Sequence, residues 1–198
     1  MRSQLGWAPA DIIVLHAGNM GMKQGLENVI EAARLAEERK SKVKFVLMGD
    51  GNQRRNLVGR AAGIAGSIQF VDPLPGEEFG RALAAADILL VNELPGVKDM
   101  AVPSKLTSYF NAGRPVIAAT DAGSVTASEI QASGGGIRVE AANPSELVEA
   151  AERLAQDETL AADLGAQGLR FRHDTLSEAA AIGHYDDFIT SLAMSRGR

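Results

Sequence analysis

The chain has 198 residues, 45% of them hydrophobic, which can supply a substantial core for one large domain or two small ones and argues against disorder. Its formal net charge of −5, without a visible basic cluster, argues against a general nucleic-acid-binding protein. The absence of cysteine excludes disulfides and thiolate metal sites, and no apolar run approaches the roughly 20 residues that span a bilayer, so we expect neither a signal peptide nor a transmembrane helix.

Apolar runs alternate with helical periodicities along the chain. The run DIIVLHAG at 11–18 predicts a buried strand, and QGLENVIEAARLAEER at 24–39 predicts the helix that follows it. Further strands are predicted at 42–51 (with a glycine turn at the end), 67–74, 87–93, 114–120 and 135–140. Further helices are predicted at 52–66, 76–86, from Pro103 to a break at Gly113, at 124–133 and at 143–157, and the remainder, 157–194, is predicted to be helical throughout.

Six strands that alternate with helices predict an α/β fold. Right-handed crossovers would wind them into a Rossmann-like parallel sheet with helices on both faces. No repeat or convincing linker divides the chain, so residues 1–198 are expected to form a single domain. Ligands of such sheets bind beyond the carboxyl ends of the strands. The candidate loops are therefore 18–25, 49–52, 72–76, 92–103 and 119–124.

The first candidate loop, HAGNMGMKQG, places Gly18, Gly21 and Gly25 around Lys23. Glycines let main-chain amides approach an anion, and a lysine supplies a charge for phosphate. The spacing matches neither GxGxxG nor a P-loop. The alternative is a tight turn with a solvated lysine.

The second loop, MGDGNQRRNL, has Gly49 and Gly51 at a strand end, with Asn52 able to cap the next helix. A plain strand-to-helix turn explains this pattern at least as well as a contact site. Its value is that it faces the same edge of the sheet as the first loop.

The stretch VPSKLTSYFNAGRPVIA at 102–118 places a helix N-terminus at that edge. The unpaired first-turn amides and the helix dipole favour an anion, and Ser104 and Lys105 add a hydroxyl and a positive charge. The alternative is an ordinary helix start with Gly113 as its C-cap.

Taken in order, HAGNMGMKQGLENVIEAA, FVLMGDG, FVDPLPGEEFGRALAAADILLV and VPSKLTSYFNAGRPVIA resemble the carboxyl-terminal, donor-binding half of GT-B glycosyltransferases of family 4, over most of residues 11–155. The resemblance implies a diphosphate site, a nucleoside side and a donor-sugar side. The diphosphate residues would be Gly18, Asn19, Lys23, Ser104 and Lys105. The nucleoside residues would be Gly49, Gly51, Asn52, Pro73, Leu74 and Ser108. The sugar-side residues would be Glu93, Asp99 and Val102.

Two departures from the family pattern accompany this resemblance. Asn19 stands where the family commonly has an arginine, so one expected phosphate cation is missing. Many members carry two glutamates eight positions apart; the second aligns with Ser108 and the first falls near Met100, and neither Glu93 nor Asp99 fits that spacing. The variant PSKLTSY resembles a subgroup of bacterial surface-polysaccharide transferases, in which Ser104 and Lys105 would handle phosphate.

The function implied by the resemblance is donor binding in a retaining glycosyltransferase. The donor would be a nucleoside-diphosphate sugar, with UDP favoured over GDP, and the acceptor a glycan or a lipid-linked glycan. Neither a cofactor nor a metal ion is expected, because Lys23, Lys105 and helix amides would stabilise the departing diphosphate.

The family architecture also implies that an amino-terminal acceptor domain is missing. Residues 157–194 would pack on that domain or on their own sheet, and the isolated fragment would be inactive. The implied location is cytoplasmic, with peripheral membrane contact at the inner face through the missing domain.

Two alternatives to a transferase stay open on the residues alone. One is a sugar-nucleotide epimerase of the same architecture, and the other is a non-catalytic nucleotide-sugar-binding module, which the missing glutamate pair favours. A nicotinamide-dependent oxidoreductase is disfavoured because GxGxxG is absent after the first strand.

The histidines and isolated aspartates are expected to have structural roles. His16, inside the first strand, predicts a hydrogen-bonded core or edge residue, whereas His173 and His184 predict surface or interface positions. Loop aspartates of the kind found at positions 50, 72 and 121 are typical turn formers.

Overall fold

The computed structural model describes residues 1–97 and 104–176. The strands are β1 (Ile12–Ala17), β2 (Val43–Met48), β3 (Ile68–Val71), β4 (Ile88–Asn92), β5 (Val116–Ala119) and β6 (Gly136–Val139). The helices are α1 (Glu27–Glu38), α2 (Arg54–Arg60), α3 (Gly76–Ala85), α4 (Ser104–Asn111), α5 (Val125–Ser133), α6 (Pro144–Gln156) and α7 (Glu158–Asp174). Short 3₁₀ turns lie at Ser3–Leu5 and Met22–Gln24.

All six strands form one parallel sheet in the order β3-β2-β1-β4-β5-β6. The predicted α/β, Rossmann-like architecture is therefore confirmed. The order reverses between β1 and β4, and a reversal of this kind leaves a crevice at the carboxyl ends of the two strands.

The two faces of the sheet are both covered by helices, because the strand residues alternate between two apolar clusters. Val14, Phe45 and Leu90 face the cluster that α1, α2 and α6 complete. Leu15, Val46 and Leu89 face the opposite cluster, completed by α3, α4 and α5. The near-continuous apolar runs of the strands are the expected consequence of burial on both faces.

The sequence predicted some helix ends correctly and others not. Asn143 caps α6 as predicted: its side chain accepts from the Glu146 amide at 3.1 Å, and Pro144 is the first helical residue. Helix α2 is shorter than the predicted 52–66, since it ends at Arg60 and the chain then passes through Gly63 with φ of 90°. The predicted cap Asn52 is wrong, because Gln53 holds the N-cap position without a side-chain hydrogen bond.

Residues 157–194 were predicted to be helical throughout, and the described part of this segment forms α7. Asp157 separates α7 from α6 and caps it by accepting from the Leu160 amide at 2.9 Å. Helix α7 packs on α4 of its own domain: a Cβ at Gly168 would lie 2.6 Å from a Phe110 ring atom, and Phe110 and Phe171 meet edge to face at 6.1 Å. Residues from 177 onward lie outside the described part.

Candidate functional site

The loops after β1 and β2 are fastened together by their main chains. The Gly18 amide donates to the Met48 carbonyl and the Met20 amide to the Asp50 carbonyl, each at 2.8 Å. Gly49 has φ of 139°, and a Cβ there would lie 2.0 Å from the Gly18 carbonyl oxygen. This position therefore admits only glycine without movement of the Gly18 turn.

Asn19 lies between two glycines, one from each of these loops. A Cβ at Gly21 would stand 2.9 Å from the Asn19 side-chain nitrogen, and a Cβ at Gly51 would stand 2.7 Å from its side-chain oxygen. The exposed Asn19 side chain can occupy this position because Gly21 and Gly51 have no side chains that would clash with it.

Lys105, the second residue of α4, crosses the Gly18 turn to reach β1. Its Cε lies 3.0 Å from where a Gly18 Cβ would be, and its Nζ lies 3.2 Å from Nε2 of His16. Helix α4 follows β4 in the chain, so this contact spans the reversal in strand order. The structure therefore brings Gly18 and Lys105, both predicted diphosphate residues, together at the switch point of the sheet.

Burial sets the charge states of this pair. Desolvation, and then the nearby positive charge of Lys105, lower the pKa of His16 to about 3, so the imidazole is neutral near pH 7. Desolvation also lowers the pKa of Lys105 to about 8, against an opposing attraction from Glu93. Lys105 is therefore mostly protonated at neutral pH, and an anion placed beside it would stabilise its charge.

Lys23 lies at the rim of the same site. Its side chain is exposed, and its carbonyl accepts from the Leu94 amide at 2.9 Å, which ties the first loop to the end of β4. Asn92 strengthens this tie by donating to the carbonyls of Gln24 at 2.8 Å and Gly25 at 3.0 Å. The two loops that flank the switch point are consequently held in one arrangement.

Glu93 is buried at the end of β4, and hydroxyl groups occupy both its carboxylate oxygens. Thr126 donates to one oxygen at 2.6 Å and Thr120 donates to the other. A threonine hydroxyl has one proton, and that of Thr120 is used in the hydrogen bond to Glu93. The Ser124 hydroxyl, 2.8 Å away, therefore donates to Thr120. The predicted sugar-side carboxylate is thus part of a network that joins β4 to β5 and α5.

The predicted nucleoside residues lie farther along the same edge. Pro73 is exposed and Leu74 half-buried in the loop after β3, while Asn52 is exposed after β2. Ser108 is half-buried one turn beyond Ser104 on α4. A cleft of about 460 Å³ opens here, lined by Asp50, Gly51, Asn52, Arg54, Arg55 and Val58.

Two further predicted residues fall outside the described part of the chain. Asp99 and Val102 belong to residues 98–103, as does the predicted helix-start residue Pro103. Ser104 is described, and it is exposed at the first position of α4.

Three side chains that shape the site were not assigned a site role from the sequence. His16 was expected to be a hydrogen-bonded core or edge residue, and the structure shows it both fully buried and in contact with Lys105. Tyr109 accepts from the Ala17 amide at 2.8 Å, and Asn28 donates to Asn92 at 2.8 Å. His16 could have been singled out because it is a polar residue inside an apolar strand. Asn28 and Tyr109 occupy helix positions that nothing in the sequence distinguishes from ordinary ones.

Of the three loop aspartates, Asp50 makes the local contact expected of a turn former, since it accepts from the Gly51 amide at 2.8 Å. The other two make contacts between loops: Asp121 accepts from the Gly96 amide at 2.7 Å, in the loop after β4, and Asp72 pairs with Arg54 at 2.6 Å across the loops after β2 and β3. His173 is exposed near the end of α7, as predicted, and His184 lies outside the described residues.

Within residues 1–97 and 104–176, no group of three or more histidine, aspartate or glutamate side chains is arranged to hold a metal ion. Over the same residues, no helix combines the length and apolar character that crossing a membrane requires.

Comparisons with known proteins identify relatives that match most of the sheet. Residues 11–157 match the family model described as "Glycosyl transferases group 1". WcaI of Escherichia coli, named as a colanic acid biosynthesis glycosyl transferase, is 32% identical over 122 residues, which cover 62% of this chain and 30% of WcaI. The chain thus spans less than a third of this curated relative.

Solved structures share the fold at low sequence identity. Anabaena HepE in complex with UDP superposes with a TM-score of 0.80 at 15% identity, over 96% of this chain and 51% of HepE. The C-terminal domain of LpcC from Francisella tularensis, a glycosyl transferase group 1 protein, superposes with a TM-score of 0.70 at 17% identity, over 88% of this chain and 91% of that domain.

Proposed function

Because this chain belongs to the glycosyl transferases group 1 family, we propose that it is the donor-binding half of a retaining glycosyltransferase that takes its sugar from a nucleoside-diphosphate sugar. The observation that carries the proposal is the position of Lys105. Its half-buried ammonium lies beside the Gly18 turn where the strand order reverses, the place at which open α/β sheets bind ligands.

The diphosphate would lie between the Gly18 turn and the first turn of α4. The ammonium of Lys105 and the α4 amides would face it, Lys23 would approach from the rim, and Ser104 and Asn19 would add polar contacts. These groups would stabilise the negative charge that develops on the leaving diphosphate, so we propose transfer without a metal ion or other cofactor.

The nucleoside would extend along the loops after β2 and β3. Gly49 and Gly51, Asn52, Pro73 and Leu74 border this path, and the neighbouring cleft is open enough for a base. Ser108 would face the ribose. UDP is the favoured nucleotide, since HepE, which shares the fold, was solved with UDP.

The sugar would lie near the end of β4, on the side of Glu93, Asp99 and Val102. We propose that Glu93 acts here by holding Thr120 and Thr126 in place, because both its oxygens are engaged by hydroxyl groups. Its charge also favours the protonated form of Lys105.

The acceptor half would be supplied by a second Rossmann-like domain. HepE is about twice the length that this chain covers, which supports a two-domain protein. That second domain would bind a glycan or lipid-linked acceptor, in keeping with the role named for WcaI, and would carry any contact with the cytoplasmic face of the membrane.

We expect the isolated 198-residue chain to bind UDP and to transfer no sugar, because donor and acceptor must meet in the cleft between two domains. Calorimetric titration with UDP, followed by a transfer assay with a panel of UDP-sugars and glycan acceptors, tests this. Glycosyl transfer by the chain alone would contradict it, and absence of UDP binding would contradict the donor-site assignment itself.

A non-catalytic nucleotide-sugar-binding module is the second candidate. Ser108, rather than a glutamate, stands on α4 where many members of the family hold the ribose. Transfer activity in a protein that joins this chain to its acceptor half would decide against the module.

The affinity for UDP should fall as the pH rises above about 8. Lys105 of the free protein, whose pKa is about 8, loses its proton there, whereas the bound diphosphate would raise that pKa. Affinity should then decrease by about fivefold between pH 8 and 9, because the protonated fraction of a group with a pKa of about 8 falls by that factor. Calorimetry from pH 6.5 to 9 measures the profile.

The matched control for this profile is Lys105→Met, which keeps a long apolar stem and removes the titrating group. Its weaker affinity should be nearly constant from pH 7.5 to 9, apart from the ionisation of UDP, which is common to both proteins. Parallel pH profiles for the parent and Lys105→Met would show that Lys105 does not meet the diphosphate.

A further inference from the structure

Strand β1 carries a fully buried histidine at the point where the sheet opens. The pairing of β1 with β4 runs from Val14 opposite Ile88 to Leu15 opposite Leu89, and His16 is the next residue. Beyond that pair, main-chain groups of the two strands bond to side chains: the Leu90 carbonyl lies 3.2 Å from His16 Nδ1, and the Ala17 amide donates to the Tyr109 hydroxyl at 2.8 Å.

The Leu90 carbonyl decides which nitrogen of His16 carries the proton. The Leu90 oxygen lies 3.2 Å from Nδ1 and raises the pKa of His16 more than the main chain of Asn19 does. Because a carbonyl oxygen can only accept, we assign the proton to Nδ1, which donates to Leu90. The imidazole is neutral, so Nε2 is left with a lone pair, and that lone pair faces the Lys105 ammonium at 3.2 Å. Lys105 donates and His16 accepts, and the acceptor is anchored to the main chain of β4.

A neutral acceptor suits an ammonium that must also bind an anion. A carboxylate at this distance would neutralise Lys105 and compete with a diphosphate. The carboxylate of Glu93, whose charge favours the protonated form of Lys105, already has both oxygens engaged by Thr120 and Thr126. A neutral imidazole nitrogen accepts a hydrogen bond from one of the three ammonium N–H groups and leaves the net charge of Lys105 unchanged.

Among the residues that the structure describes, the other ionisable groups around Lys105 do not provide the same contact. On its own helix, Tyr109 is buried with its hydroxyl on Ala17 and Leu90, and burial raises the pKa of this phenol. From the first loop, Lys23 is exposed at the rim. Lys98 and Asp99 lie outside the described residues.

We propose that His16 is a positioning residue of the diphosphate site: its Nδ1–H is fixed by the Leu90 carbonyl, and its Nε2 holds the Lys105 ammonium against the Gly18 turn. This inference rests on the donor-site function proposed above. It adds a residue that acts on the donor only through Lys105, from the interior of β1.

The test compares His16→Leu with His16→Gln in calorimetric titrations with UDP and with uridine. Leucine fills the space without an acceptor, so UDP affinity should fall about threefold to tenfold, while uridine affinity should change little. Glutamine can donate to Leu90 through its amide nitrogen and accept from Lys105 through its oxygen, so it should restore most of the UDP affinity.

The pH profile separates this role from a merely structural one. Without an acceptor for its ammonium, Lys105 should lose its proton at lower pH, so the fall in UDP affinity in His16→Leu should begin below pH 8. In His16→Gln the profile should stay near that of the parent. An unchanged profile and UDP affinity in a folded His16→Leu, where Lys105→Met binds weakly, overturns the inference and leaves the donor site standing.

A measurement on the parent protein does not depend on any variant folding. Nitrogen-15 spectra of the histidine rings should show His16 as the neutral Nδ1–H tautomer from pH 5 to 8. An Nε2–H tautomer or an imidazolium in that range overturns the proposal. Failure of the parent to bind UDP at all overturns the donor site, and this inference with it.

Discussion

Replacing Gly49 with alanine should lower the free energy of unfolding by about 3 kcal/mol or more, the largest stability effect we expect from a single methyl group in this chain. The backbone at Gly49 has φ of 139°, which an L-residue rarely adopts, and the new Cβ would lie 2.0 Å from the Gly18 carbonyl oxygen. The obstacle is main chain, so a rotamer change cannot relieve it. Denaturant unfolding followed by circular dichroism measures the effect.

Gly80→Ala is the matched control for this substitution. Gly80 is an exposed residue inside α3, and a Cβ there would meet nothing within 4 Å. Because alanine favours the helix over glycine, this control should raise the free energy of unfolding by about 0.5–1 kcal/mol. Equal unfolding midpoints for Gly49→Ala and the parent would mean that the Gly49 and Gly18 loops leave room for a methyl group at position 49.

Removing the charge of Lys105 should weaken UDP binding by about tenfold to a hundredfold, because a charge-assisted contact with the diphosphate is lost. Lys105→Met retains the stem that crosses the Gly18 turn, so the loss reports the charge itself. Lys23→Ala should have an effect in the same direction, since this exposed side chain stands at the rim of the proposed site. Calorimetry with UDP and with uridine measures both variants.

The fold should survive both substitutions. The folded pKa of Lys105, about 8, lies below its unfolded value, so the unfolded state binds the proton more tightly. The free energy of unfolding therefore increases as the pH rises from about 8 toward the pKa of Lys105 in the unfolded chain. At neutral pH the buried charge of Lys105 lowers the free energy of unfolding. Lys105→Met removes this cost but leaves the buried Nε2 of His16 without its donor, so the two effects oppose each other and the variant should unfold near the parent's midpoint at pH 7.

The controls for this prediction are a distant lysine and a ligand without phosphates. Lys42 is exposed just before β2, at the opposite edge of the sheet, and Lys42→Ala should leave UDP affinity unchanged. Uridine binding should be affected far less than UDP binding, because base and ribose are held by other loops. Parent-like UDP affinity in both Lys105→Met and Lys23→Ala would remove the main support for the donor site.

Part of the candidate site was predictable because loops after parallel strands share one edge of a sheet. Gly18 and Lys105 were assigned to one site on that basis, and the structure brings them together. The predicted cap at Asn52 failed for a local reason: the Arg54 amide bonds to the Gly51 carbonyl in a turn, so the N-cap position falls on Gln53, one residue later than predicted.

The sequence by itself determined the alternation of strands and helices, since period and apolar run length are local properties that each segment carries whatever its neighbours are. It also determined the parallel sheet, because each strand is followed by a helix long enough to cross over. The cap at Asn143 was readable for the same reason: its partners are within three residues.

Only the tertiary structure decided which side chains meet at the switch point. His16 and Lys105 are 89 residues apart and touch because β4, which precedes α4 in the chain, lies beside β1 on the side opposite β2. Burial then sets the charge of each group: the same imidazole and ammonium in water would have ordinary pKa values. Strand order and desolvation depend on the whole packed sheet, so no short stretch of sequence carries them.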